Sequence, residues 1–402
     1  MNDEYVKGEP YFCDVSEKIC SFPYLEHDIS CDNLIVGGGI DGAITAYYFA
    51  ESGLDTALID KNRLGHMCTS CATALLEYQL DEHATALKKY FSPSEVLQVY
   101  RFGLDALDMV ESVIKKLGNS CHFSRRDTLI FSNALFGKWS VKKEYGFRKA
   151  GGLDVEYIDS GSNPFPFEVK SGIIAKNGGA EFNPYLFEKQ LIEFIKSKIP
   201  IFENTALVKI EGGDGNFIVT TNYGVKIHCK HIICCTGYDT RDFTAREFCE
   251  KFISFTIVSQ CFDRPLWASR ALLQDDGSPY HYMRLSPDNR LIIGGEDVAF
   301  KHGKFDVKVA DKKYAALAEF AQSLFPSIEH FEIEKKFCGA FSATGDNLSV
   351  AGQSRRDGFF YNLGYGANGI VYSFLGAQII LEQLYGKSSP LHRFFSPDRP
   401  LP

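Results

Sequence analysis

The spacing of apolar positions divides the chain into short buried strands and amphipathic helices. Asn33-Leu34-Ile35-Val36 is a brief apolar run ending in glycines, the pattern of a strand covered on both faces. From Ile40 to Ser52 the side chains of Ile40, Ile44, Tyr47 and Tyr48 recur at helical spacing, and Gly53 stands where a helix end favours glycine. Thr56-Ala57-Leu58-Ile59 predicts a second buried strand ending at Asp60, which completes one strand–helix–strand unit of a parallel sheet. Ser92-Pro93-Ser94-Glu95 combines an N-cap serine, a proline at the first helical position and a capping-box glutamate, so a long helix follows and closes at Gly118. Asn183-Pro184 opens another helix, with Phe187, Leu191 and Ile195 on its apolar face.

Between Ile199 and Gly237 the pattern changes to alternation. Phe217-Ile218-Val219-Thr220 and Val225-Lys226-Ile227 flank the turn Asn222-Tyr223-Gly224, a hairpin. His231-Ile232-Ile233-Cys234-Cys235 reads as a central strand ending at Thr236-Gly237, and residues 251–298 read as further strands. Lys312 to Phe325 predicts a helix stopped by Pro326, and Gly369 to Leu384 the last long helix. Residues 1–30, polar and aromatic without periodicity, read as an N-terminal extension, and 387–402 as a C-terminal tail.

Composition narrows the class. The 402 residues suggest two or three folding units at roughly 150 residues each. With 43 basic and 51 acidic side chains the net charge is −8, and without a basic run this argues against nucleic acid or an anionic membrane as the main partner. No uninterrupted apolar stretch reaches the ~18 residues of a membrane span. The nearest, Gly369 to Tyr385, carries Gln378, Glu382 and Gln383. The N-terminus, with Asp3, Glu4 and Glu9, lacks the apolar core of a signal peptide, so the cytoplasm is the expected location. The 12 cysteines are too sparse for a disulfide scaffold, and Cys68-Thr69-Ser70-Cys71 has no second pair at zinc spacing, so no metal is expected.

Gly37-Gly38-Gly39-Ile40-Asp41-Gly42 satisfies G-x-G-x-x-G between the first strand and its helix. Gly37 permits the tight turn, Gly39 lets backbone approach a pyrophosphate, and Gly42 lets helix and strand pack closely. The helix start, from Ile40 and Asp41, offers free N–H groups and a positive dipole end to the phosphates. Asp60 ends the second strand eighteen residues after Gly42, close to the ~20 expected for a carboxylate that accepts from a ribose hydroxyl, and Lys61 follows it. These features together predict dinucleotide binding. An antiparallel hairpin feeding a strand that ends in Thr236-Gly237 is unlike a plain NAD domain, which continues as strand–helix–strand units.

Taken with four further segments, the fingerprint resembles the FAD-dependent oxidoreductases of the D-amino-acid oxidase superfamily, which includes glycine oxidase, sarcosine oxidase and glycerol-3-phosphate dehydrogenases. The segments are Thr69-Ser70-Cys71-Ala72-Thr73-Ala74-Leu75-Leu76, Cys235-Thr236-Gly237, Arg284 before Arg290-Leu291-Ile292-Ile293-Gly294-Gly295-Glu296-Asp297, and Gly364-Tyr365-Gly366-Ala367-Asn368-Gly369-Ile370. The resemblance covers about residues 24–385 and implies FAD as cofactor. It implies an α/β fold in which a Rossmann-like FAD domain (31–84, 179–250 and 339–386) is interleaved with an α+β substrate domain on a mixed antiparallel sheet (85–178 and 251–338). It further implies that Thr69 and Ser70 line the FAD diphosphate and ring, and that Thr236-Gly237 passes near the adenosine half. The segment Gly366 to Ile370, including Asn368, would put its amides by the flavin N1 and C2 carbonyl. Gly369 also opens a long helix whose positive end favours negative charge on a reduced flavin. Met67 and Cys68 depart from the pattern, standing where such loops usually carry glycine and serine or threonine.

Each remaining candidate has a functional and a plain reading. Cys68 and Cys71 are either a redox pair beside the flavin or, more simply, small residues filling a cofactor loop, since a thioredoxin-like setting is absent. His66 is a candidate for covalent FAD attachment or a loop histidine bonded to backbone. Arg284 is suited to hold a substrate carboxylate through two parallel hydrogen bonds, or forms a structural ion pair with Glu296 or Asp297. His281 and Tyr282 are neighbours on a strand and point to opposite faces, so only one reaches the cavity, and His281 is the candidate base. Asn368 binds substrate or, more simply, caps the last helix.

The expected reaction is hydride transfer from a C–H bond next to an amine onto flavin N5, with an amino acid, N-methyl amino acid or polyamine-like substrate and oxygen or another electron acceptor. An amine needs only its neutral form, whereas a hydroxyl substrate wants a general base within reach. The alternatives are a hydroxy-acid or glycerol-3-phosphate oxidase or dehydrogenase, and a flavin-binding subunit without turnover.

Overall fold

The computed structural model describes residues 5–80, 82–134, 137–238, 240, 247–300, 305–366 and 368–401. Asp3 and Glu4 of the extension, Ala367 of the C-terminal motif and Pro402 of the tail lie outside the described residues. The chain is mixed α/β and builds two sheets.

The first sheet is the dinucleotide-type one. Its central strand, Ile29–Val36, is paired in parallel with Thr56–Ile59 on one side and Lys226–Cys234 on the other. Phe359–Leu363 pairs in parallel with Lys226–Cys234, and Ile201–Phe202 with Thr56–Ile59. These strands are apolar on both faces because helices cover one side, where Ile35, Leu58 and Ile233 pack, and the hairpin residues Phe217 and Val219 cover the other, against Leu34, Ile59 and Ile232. Ile40–Glu51 packs between Pro184–Ile195 and Gly369–Leu384, and Pro93–Leu117 lies against the last of these. The expected hairpin joins Asn216–Thr221 to Lys226–Cys234 around Gly224, whose φ is +78°.

Helix ends follow the local chemistry. Ser92 and Glu95 form both bonds of the capping box at Pro93, and Gly118 ends the helix with φ +94°. Asn183 accepts from the amide of Leu186 at the start of Pro184–Ile195. The helix before Pro326 begins earlier than its apolar spacing suggests: it runs Val307–Leu324, because Asp306 accepts from the amides of Lys308 and Val309.

The second sheet is larger. Its strands run in the order Val6–Gly8, Ile333–Ala343, Glu250–Cys261, Arg290–Ala299, His281–Leu285, Leu272–Asp275, Ser124–Ser132, Ser171–Glu181 and Leu75–Glu77, with Val155–Asp159 also on Ser171–Glu181. All neighbours are antiparallel except Leu272–Asp275 with Ser124–Ser132. Val307–Leu324 covers one face, burying Tyr314, Leu317 and Ala321 in a separate apolar core.

Two segments sit differently from their sequence pattern. Val6–Gly8, in the region read as an extension, adds an edge strand to the large sheet, pairing Val6 with Gly339. Ile333–Ala343 belongs wholly to the large sheet, although its second half was read with the FAD segments. Neither contact is visible locally, because antiparallel pairing is decided by a distant partner.

Candidate active site

A cavity of about 520 Å³ opens at the C-terminal ends of the parallel strands, against the large sheet. Such a crevice is where open α/β sheets bind ligands. One end is lined by Asp60, Lys61, Asn62 and Thr205–Leu207, the middle by Gly37, Gly39, Ile40 and Asp41, and a further wall by Gly364–Gly366 and Asn368–Ile370. Ser254, Thr256, Gln274, Tyr280 and Tyr282 of the large sheet form the opposing wall.

The glycine turn is shaped by close contacts. Gly37 has φ +103°, and a Cβ there would stand 2.3 Å from the carbonyl oxygen of Cys235. A Cβ on Gly42 would stand 1.8 Å from the Gly37 carbonyl oxygen, so Gly42 packs the helix onto the turn and does not line the cavity. At Gly39 the nearest such neighbour is Thr69 Oγ1 at 3.5 Å, leaving room for a ligand over the turn. Thr69 Oγ1 also accepts from the amide of Ile40 at 3.1 Å.

Asp60 fixes the turn from the second strand. One carboxylate oxygen accepts from the amide of Gly38 at 2.6 Å and the other from Asn62 at 2.6 Å. The side chain is partly exposed to the cavity but deep in the protein, and burial pushes its pKa up from 3.8 to about 6. Asp41 ties the two ends of the chain together: it accepts from the amide of Gly364 at 3.0 Å and from the Ser373 hydroxyl. Burial raises its pKa as well.

Thr236 and Gly237 line the cavity on the flank of Gly37 opposite Asp60, where Tyr365 donates to the Gly237 carbonyl at 3.0 Å. Gly366, Gly369 and Ile370 line it at the start of the last helix. Gly369 is packed so closely on Gly364 that a Cβ would stand 2.1 Å from its carbonyl oxygen.

Several expectations need correction. Ser70 does not line the cavity; its hydroxyl turns back to the Met67 carbonyl at 2.7 Å. Asn368 makes no side-chain cap, although that was the simpler reading. It lines the cavity, accepts from the amide of Glu77 at 3.1 Å and donates to the Gln79 carbonyl, so it joins the last helix to the strand Leu75–Glu77.

His281 faces away from the cavity. Its ring bridges Asp275 and Glu296, each at 3.3 Å, and stacks on Phe320 at 3.9 Å. Tyr282, its neighbour of opposite orientation, is the residue that reaches the cavity, and its hydroxyl pairs with Ser254 at 3.1 Å. Burial pushes the Tyr282 pKa up to about 12, so its phenol stays protonated.

Arg284 shares the face of Tyr282 but lies beyond the cavity, beneath the loop. It is 2% exposed and donates to the carbonyls of Ala74 and Phe182, each at 3.0 Å, while its guanidinium lies over the Phe12 ring. Its nearest carboxylate is Glu181 at 3.9 Å, because the register that sets Arg284 opposite Ile292 leaves Glu296 and Asp297 further along the sheet. Ala74 has φ +49°, a left-handed conformation costly for a residue with a Cβ, and the Arg284 bond holds its carbonyl there. Arg284 is a positioning residue for the loop.

Sequence reading missed Glu77 and Thr205–Leu207. Glu77 lines the cavity and accepts from Gln79 at 3.0 Å; a lone carboxylate after Leu75-Leu76 was its only signal. Thr205–Leu207 enter from an aperiodic connector held by the bond from Thr205 N to the Asp60 carbonyl at 2.7 Å, which no local pattern announces.

The glycine turn, the acidic strand end and the crevice between two sheets define a dinucleotide-dependent oxidoreductase. The profile of the DAO family, described as FAD dependent oxidoreductase, matches residues 32–383, and the chain belongs to this family. It is 24% identical, over 99% of its own length and 77% of the other's, to YhfW of Bacillus subtilis (strain 168), a protein named for a Rieske 2Fe-2S iron-sulfur centre. It is 20% identical to gamma-glutamylputrescine oxidoreductase of Escherichia coli (strain K12), over 98% of this chain and 92% of that one. Glycine oxidase from Geobacillus kaustophilus superimposes with a TM-score of 0.79 at 20% identity, covering 93% of this chain and 100% of that structure. The cofactor is therefore FAD, and the open cradle above Gly39, Asp60 at the cavity edge and the helix start at Gly369 fit it.

Two outcomes follow. Ribose binding favours ionised Asp60, so FAD affinity should hold above about pH 6 and weaken about tenfold per unit below it. The ligand-free protein has the opposite sign: its raised carboxyl loses stability as pH rises from 3.8 towards about 6. Fluorescence titration with FAD at several pH values checks this, with Asp60→Asn binding more weakly at pH 8 and losing the step. Arg284→Met should cost about 2–5 kcal/mol by stranding two buried carbonyls, read as a lower unfolding midpoint. An unchanged midpoint with a raised KM for carboxylate substrates would instead mark a substrate clamp.

Proposed function

We propose that this FAD-dependent oxidoreductase removes a hydride from the C–H bond next to an amine, in an amino acid, N-methyl amino acid or polyamine-like substrate. The observation that carries this reading is that, among the described residues, no histidine stands on the substrate wall to serve as a base. Among the described residues His66 is the one histidine lining the cavity, and it stands with Arg63 and Met67 near the dinucleotide end. His281 is held outside by Asp275 and Glu296. A hydroxyl substrate is best served by a histidine base there, whereas a neutral amine needs none.

The wall's chemistry agrees. Tyr282, kept protonated, and its partner Ser254 supply neutral hydroxyls, and Tyr280 donates to Asp297 at 2.9 Å. Glu77 brings a carboxylate to the cavity beside Asn368, suited to attract an ammonium group before it loses its proton. No arginine stands on this wall among the described residues; Arg63 lines the other end. FAD, when bound, supplies the hydride acceptor. The protein holds the pyrophosphate over Gly39 and Ile40, orients the ribose through Asp60, and sets the helix start at Gly369 against the ring's negative charge. Its likeness to proteins named glycine oxidase and gamma-glutamylputrescine oxidoreductase supports an amine over an alcohol.

An anaerobic screen that follows the flavin absorbance tests this. Amino acids, N-methyl amino acids or polyamines should bleach the holoprotein, while hydroxy acids and glycerol 3-phosphate leave it yellow. Bleaching by the hydroxy compounds alone would overturn the amine reading, and bleaching by none would favour a flavin-binding subunit without turnover.

A further inference from the structure

We propose that Cys68 and Cys71 form a dithiol–disulfide pair that exchanges two electrons with the FAD bound in this cavity. The proposal rests on the cofactor and not on the identity of the substrate. The simpler view of the pair, as small residues filling a loop, does not account for their placement.

Both cysteines line the cavity, one turn apart on the short helix Cys68–Cys71, so their side chains share a face. The Cys71 thiol donates to the Cys68 carbonyl at 3.3 Å. The neighbouring Cys68 and burial keep Cys71 protonated by raising its pKa. Thr69, between them, fixes the turn to the helix start at Ile40. The sulfur of Cys71 also has a seat: a Cβ on Gly339 would stand 2.3 Å from it, so only glycine at that point of the large sheet leaves it room. Two thiols one helical turn apart on the wall of a cavity built for a flavin are the arrangement that a redox pair requires.

The step balances. When the S–S bond of Cys68–Cys71 breaks, the two sulfurs take up two electrons from the reduced flavin and two protons. One proton is released as the flavin returns to its oxidised form, and solvent provides the other. A disulfide compound then restores the pair by exchange: the half-exposed Cys68 gives up its proton and attacks one acceptor sulfur, Cys71 loses its proton as it displaces the mixed disulfide, and two acceptor thiols leave with the two protons.

Trypsin releases both cysteines in one peptide, Leu64–Lys88, which makes the test direct. Holoprotein is oxidised with diamide, freed of reagent and titrated anaerobically with dithionite; alkylation and mass spectrometry then read the peptide. The expected result is an unalkylated peptide before reduction and a doubly alkylated one after it. Uptake of reducing equivalents per flavin should be about twofold that of Cys71→Ser, and flavin-stripped protein should keep its disulfide under the same treatment. A peptide that remains fully alkylated after diamide would overturn the proposal. So would equal uptake in wild type and variant, or equal reduction without flavin. The labelling of wild-type protein decides the matter even if Cys71→Ser does not fold.

Discussion

The near-contact between Gly42 and the carbonyl of Gly37 is the constraint on which the rest of the structure depends. With a Cβ position 1.8 Å from that oxygen, helix Ile40–Glu51 can start only where no side chain intervenes. Its first turn then points at the crevice between the two sheets, the position from which a helix start can receive a phosphate. Asp60 locks the arrangement by accepting from Gly38, so the second strand and the turn form one rigid cradle.

From this cradle two tethers reach the remaining walls. Asp41 binds Gly364 and Ser373, fixing the last helix beside the turn although the residues are far apart in sequence. Asn368 carries the connection to Glu77 and Gln79, and so to the edge of the large sheet. Arg284 completes the enclosure from below by holding Ala74 in its left-handed conformation. Buried polar groups with few alternative partners serve here to set loop geometry, which neither sheet would determine alone.

Much of the dinucleotide half was legible in the sequence because its determinants are local. A glycine turn, a strand-end carboxylate eighteen residues on and a helix followed by Gly53 all lie within a short span, Gly37 to Asp60. The substrate half was not. His281 and Tyr282 could be assigned to opposite faces by alternation, but which face meets the cavity depends on the register with Arg290–Ala299 and on the helix over the other side. Arg284 was on the cavity face yet too far along its strand, a distance that periodicity does not measure. Val6–Gly8 carried no pattern at all, since an edge strand of three residues takes its conformation from its partner.

A crystal structure of the FAD-bound protein tests the account most directly. The account predicts the pyrophosphate over Gly39 and Ile40, the ribose hydroxyls on Asp60, and the flavin ring between the start of helix Gly369–Leu384 and the wall bearing Tyr282. FAD bound with its pyrophosphate away from the Gly37–Gly42 turn, or with its ring outside that wall, would contradict it.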